Sequence, residues 1–135
     1  MIFYLLDTNI CIYLIKKKPV PMMRRLQQKN ISEVGISTAT LSELEYGVEK
    51  SQHPAQNRVA LAQFLAPLEV VPYDDRAALE YGRLCRGLGR HGRPIGPLDR
   101  LIAAHALALN CTLVTNNARD FSRVENLQVE NWIVE

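Results

Sequence analysis

Cysteine is scarce in this chain of 135 residues. Cys11, Cys85 and Cys111 are odd in number, and no two stand in C-x-x-C spacing. That excludes a disulfide framework and a thiolate zinc site, and it suits reduced thiols in a cytoplasmic protein. Long apolar runs are missing as well. The stretch from Met1 to Leu6 is too short for a secretory signal and stops at Asp7. Nothing approaches the ~20 apolar residues that a membrane span requires. A charge excess is also absent, the formal net charge being only +2. Whole-chain electrostatics therefore do not call for a nucleic-acid partner, although local clustering matters more than the sum. Aromatic residues carry no RNP-type motif, so reading bases by stacking is not indicated. There is no internal repeat, low-complexity tract or linker. At this length the expectation is one domain over 1–135 with a proper core.

What is present is an alternation of short apolar runs and helical patterns. The Met1 to Leu6 run reads as a strand buried on both faces. A helix is expected from Asn9 to Lys17, with Lys16, Lys17 and Lys18 in its last turn, and a second from Pro21 to Lys29. Val34–Ser37 reads as a strand. Thr40-Leu41-Ser42-Glu43 has capping-box spacing, which starts a third helix there. Helices over 56–65 and 74–89 follow, the latter with Ala77, Ala78, Tyr81, Leu84 and Leu88 inside, and a strand over 68–71 lies between them. After the Gly/Pro-rich loop 91–97, the segment 98–109 is helical and apolar nearly all round, so it should be buried. A strand over 112–115, a turn or short helix over 117–121 and an edge strand over 127–129 complete the pattern. This is an α/β domain with a parallel sheet and helices on both faces.

Four acids follow buried elements. Asp7 ends the first strand, at the carboxyl edge where open α/β sheets place ligands. Glu43 lies off the Leu41-Leu44-Val48 stripe of its helix. Asp99 enters the apolar helix just after Pro97, and Asp120 follows the strand over 112–115. Each also has a structural reading: helix cap for Asp7, capping box for Glu43, first-turn dipole partner for Asp99, and surface turn for Asp120. Together they would repel strongly. A hard divalent ion resolves such repulsion, Mg²⁺ or Mn²⁺ preferring oxygen ligands, and metal-assisted phosphodiester cleavage is the chemistry this allows.

Four blocks carry a resemblance over the whole chain: Leu6-Asp7-Thr8-Asn9, Ser42-Glu43-Leu44-Glu45-Tyr46-Gly47, the run from Gly96 to Ala106, and the run from Leu113 to Phe121. In their order and spacing the sequence resembles the PIN-domain ribonucleases, specifically the VapC-type toxins of toxin–antitoxin pairs. The resemblance implies a three-layer α/β/α fold and an Mg²⁺-dependent endoribonuclease, with Mn²⁺ as the alternative ion. It implies that Asp7, Glu43 and Asp99 are the metal-binding acids. The fourth place falls either at Asn117, two residues after Thr115, or at Asp120, before Phe121. Asp120 is favoured, with Asn117 and Thr115 assisting. On this reading Asp7 and Asp99 hold the ion directly, Glu43 and Asp120 act directly or through water, and Thr8 and Asn9 position Asp7. The resemblance further implies a VapB-type antitoxin, a homodimer, promoter DNA bound only through the antitoxin, and a structured RNA substrate. The initiator tRNA anticodon loop is the first candidate.

Arg83, Arg86 and Arg90 share one helix face by spacing, and His91 and Arg93 continue it toward Asp99. They form either a phosphate-binding track or a solvated basic face. His105, on an apolar helix, reads as a core residue. Three rivals use the same carboxyl edge or none. A haloacid-dehalogenase-type phosphatase wants an Asp at position 9, where Asn9 stands. A receiver domain wants paired acids after the first strand. A binding module would leave all four acids as caps.

Overall fold

The computed structural model describes residues 1–89 and 95–133. Among these residues five strands form one parallel sheet in the order β3-β2-β1-β4-β5. They are β1 (Tyr4–Leu6), β2 (Val34–Ser37), β3 (Glu69–Val71), β4 (Thr112–Val114) and β5 (Val129–Glu130). In the central pair, Tyr4, Leu5 and Leu6 align with Thr112, Leu113 and Val114. Among the described residues seven α-helices connect the strands: α1 (Thr8–Ile15), α2 (Val20–Gln27), α3 (Thr38–Glu49), α4 (Pro54–Leu65), α5 (Asp75–Leu88), α6 (Pro97–Leu109) and α7 (Ala118–Phe121).

Side chains alternate along the strands, and this builds two cores. Leu5 and Leu113 face one side, with Leu84, Ile102, Ala103, Ala106 and Phe121 from α5, α6 and α7. Leu6 and Val114 face the other, with Ile10, Leu14, Met22, Leu44, Val48 and Leu61 from α1 to α4. The result is the three-layer α/β/α arrangement. Gly35 in β2 is required by close approach, because a Cβ there would stand 2.8 Å from the Glu69 carbonyl oxygen.

Three expectations needed correction. Helix α1 ends at Ile15, and Lys17 takes a positive φ of 59°, so the lysines follow the helix rather than forming its last turn. Helix α3 begins at Thr38 with Ser37 as its cap, the Ser37 hydroxyl accepting from Ala39 N–H at 3.1 Å. Thr40 is therefore the third residue of the helix and Glu43 lies in its second turn, and no capping box forms between them. Ala78 is exposed on α5, whereas Ala77 and Leu84 are buried. No helix among the described residues is long and apolar enough to cross a membrane.

Candidate active site

Because all five strands run the same way, β1, β2 and β4 end on one edge, and each hands the chain to a polar residue there. Asp7 follows β1 and is 5% exposed. Its backbone N–H continues the sheet by donating to the Val114 carbonyl at 3.0 Å. Its Oδ1 accepts from Ile10 N–H at 3.0 Å, so it caps α1. Thr115, fully buried after β4, gives the Asp7 carboxyl a side-chain hydrogen bond. The Thr115 oxygen in turn accepts from Asn117 N–H at 2.9 Å. Thus the cap and the candidate ligand are the same atom group: capping fixes where the carboxylate points.

Glu43, half-buried on α3, accepts a hydrogen bond from the Thr8 hydroxyl. Thr8 therefore holds Glu43 and not Asp7, and Asn9 lies exposed on α1. Both differ from the expectation that the two residues position Asp7. Asp120 on α7 accepts from the Asn117 side-chain amide at 3.1 Å. Asp99 lies in the first turn of α6, half-buried.

Electrostatics tie the four together. Burial raises the Asp7 carboxyl above its ordinary range, and the charges of Asp99 and Glu43 add to this against the hydrogen bonds from Thr115 and Ile10. Burial likewise raises Asp99, with Glu43 and Asp120 adding to it. Asp7 and Asp99 thus each feel neighbouring carboxylates, as expected of like charges gathered together. Among the described residues no three His, Cys, Asp or Glu side chains already converge as a metal cluster. On donor chemistry, four mutually repelling carboxylates with only oxygen donors fit a hard divalent cation.

His105 stands apart from this group. It is 1% exposed, its Nδ1 lies 2.7 Å from Ser37 Oγ, and the Tyr73 ring packs edge-on at 5.6 Å. Burial lowers its pKa, so it is a neutral core residue, as the sequence suggested. Arg83 is exposed on α5 with Nη1 3.2 Å from Glu80 Oε1, and Arg86 is exposed on the same helix. Arg90, His91 and Arg93 lie outside the described residues.

Residues 4–127 match the PIN domain family. The chain is 44% identical over 132 residues to the tRNA(fMet)-specific endonuclease VapC of Shigella flexneri, covering 98% of this chain and 99% of that one. The chain belongs to the PIN-domain VapC ribonucleases. VapC structures share its architecture closely. The VapBC2 complex of Rickettsia felis, bound to a DNA fragment from its promoter, superimposes with a TM-score of 0.90 at 44% identity, covering 97% of this chain and 99% of that one. DNA-bound VapBC from Salmonella typhimurium gives a TM-score of 0.91 at 42% identity, covering 98% and 99%. As a VapC ribonuclease the chain hydrolyses RNA phosphodiester bonds, and PIN-domain VapC nucleases are divalent-metal dependent.

Two features of the site were not legible in the sequence. The pairing of Thr8 with Glu43 spans 35 positions, and only the parallel order of β1 and β2 brings them together. The Ser37 cap was hidden among equally good capping residues, Thr38, Thr40 and Ser42.

Proposed function

We propose that this chain is an Mg²⁺-dependent endoribonuclease toxin that cleaves a structured RNA, with initiator tRNA the first substrate to test. The observation that carries the proposal is the gathering of acids around Asp7, buried at the end of β1, and Asp99, in the first turn of α6: Glu43 acts on both and Asp120 acts on Asp99. Relatives of the same length and more than 40% identity are named for cleavage of tRNA(fMet), which supports the substrate. The whole of residues 1–135 acts as the one catalytic domain.

In this reading Asp7 and Asp99 hold the ion directly, with Mn²⁺ able to substitute. Glu43 and Asp120 complete the site directly or through water. When bound, the ion neutralises charge on the scissile phosphate and acidifies water. The protein's part is positional. Ile10 N–H and Thr115 fix Asp7, Thr8 holds Glu43, and Asn117 holds Asp120. Glu43 and Asp120 would orient the attacking water. Arg83 and Arg86 on α5, together with Arg90 and Arg93, supply phosphate contacts. A VapB-type antitoxin neutralises the toxin and promoter DNA is bound through the antitoxin, a reading supported by the DNA-bound VapBC complexes, and the toxin itself is a homodimer.

Mapping RNA 5′ ends in cells after brief expression tests this. Wild type should create a new end in one tRNA loop, and Asp7→Asn should not. Equal cleavage by both proteins would refute the assignment of Asp7.

A further inference from the structure

The first turn of α3 contains a hydroxyl that none of the contacts above uses. Thr40 is 0% exposed, and its Oγ1 has no hydrogen-bond partner among the described residues. A helical Ser or Thr commonly donates back to the carbonyl four residues earlier. Ser42 does so, to the Thr38 carbonyl at 3.1 Å, whereas the residue four before Thr40 is Ile36, in β2, so the helix offers Thr40 no such carbonyl. A desolvated, unpaired hydroxyl is costly to keep, and valine would fill the same space without that cost.

Its position suggests the reason. Helix α3 starts directly after β2, at the edge where β1 ends in Asp7. Thr40, Leu44 and Val48 form the buried stripe of α3, and Leu44 and Val48 pack with Leu6, Ile10 and Cys11. Thr40 is the member of that stripe nearest the edge. Glu43 stands three positions on, and side chains three apart on a helix are neighbours, roughly 5–6 Å between Cβ atoms. Glu43 Oε1 is engaged by Thr8, which comes from α1 and not from α3.

We propose that Thr40 is a positioning residue for Glu43: its hydroxyl donates to the Glu43 carboxylate when that carboxylate turns toward a bound divalent cation. Thr8 and Thr40 are then alternative donors, one for each orientation of Glu43. This rests on the metal-dependent reading given above.

The test is Mn²⁺ titration calorimetry on the full chain, together with thermal unfolding without metal, for wild type, Thr40→Val and Thr40→Ser. Thr40→Val should unfold at a higher temperature, because a buried unpaired hydroxyl is gone. It should also bind Mn²⁺ about fivefold more weakly, because the loaded site loses one hydrogen bond. Thr40→Ser should bind Mn²⁺ as wild type does. Unchanged Mn²⁺ affinity in Thr40→Val, with wild type binding the ion, overturns the role of Thr40 and leaves the metal reading standing. A lower unfolding temperature in Thr40→Val also overturns it, since the hydroxyl would then serve the fold itself. A wild-type protein that binds no Mn²⁺ overturns the metal reading and this proposal with it.

Discussion

The side-chain amide of Asn117 donates to Asp120 Oδ2 at 3.1 Å, so the two residues that compete for one place in the sequence are in direct contact. The carboxylate stands on α7, and the amide from the preceding turn aims it. Removing the amide should leave Asp120 present but poorly held. Asn117→Ala is expected to lower RNA cleavage about tenfold to a hundredfold, the usual cost of losing a group that orients a metal-site ligand. Asp120→Asn should cost at least as much. Initial cleavage rates of the purified variants check both, and full activity in Asn117→Ala would remove it from the site.

Asp7→Asn should separate activity from stability. Asparagine keeps an oxygen for Ile10 N–H and is as good a helix cap as aspartate. The folded carboxyl is raised above its unfolded value, so the folded state binds the proton more tightly. The charged form therefore lowers stability once the pH exceeds the unfolded pKa, and the full loss is reached above the folded one. Without metal at neutral pH, Asp7→Asn should be more stable by roughly 1 kcal/mol, a few degrees in Tm. The gain should shrink as the pH falls through the raised pKa, where the wild-type carboxyl becomes neutral too. Thermal unfolding at a series of pH values measures this, and a pH-independent difference would contradict it.

The sheet and its neighbours were readable because the strands are short apolar runs bounded by breakers, and a buried parallel strand has few other ways to look. Asp7 was readable for the same reason, standing where the Met1 to Leu6 run ends. Glu43 was readable only in part. Its spacing from Thr40 imitates a capping box, and local sequence does not reveal that Ser37 caps α3 while also meeting His105 from α6. Which of several adjacent hydroxyl residues becomes the cap was decided by tertiary contact. The same applies to Thr8, whose partner lies on another helix.

His105 should make the protein acid-sensitive. Its folded pKa lies below the unfolded value of about 6.5. The neutral ring contributes stability above that value, and the contribution is lost as the pH falls from it toward the folded pKa. Urea midpoints of wild type should fall more steeply between pH 7.5 and 5.5 than those of His105→Gln, whatever the variant's absolute stability. Parallel slopes would rule out His105 as the source.

The chain end should be indispensable to the fold. Trp132, the single tryptophan, is 0% exposed. It packs edge-on to Tyr4 at 5.5 Å and donates to Glu130 at 2.9 Å, while Lys29 Nζ lies 5.8 Å from its ring. Trp132→Ala should cost about 3–5 kcal/mol, lowering Tm by roughly 10–20 °C. Circular dichroism melting checks this, and a shift of only a degree or two would mean that the tail contributes little.

The acid site itself is tested most directly by incubating the purified protein with initiator tRNA in Mg²⁺, then with EDTA, then with Mg²⁺ restored, alongside Asp99→Asn. Wild type should make a single cut in Mg²⁺ and none in EDTA, with cleavage recovered when Mg²⁺ returns, and Asp99→Asn should lose more than about a hundredfold. Cleavage by wild type that persists in EDTA, or by Asp99→Asn at the wild-type rate, would contradict the acid-site assignment.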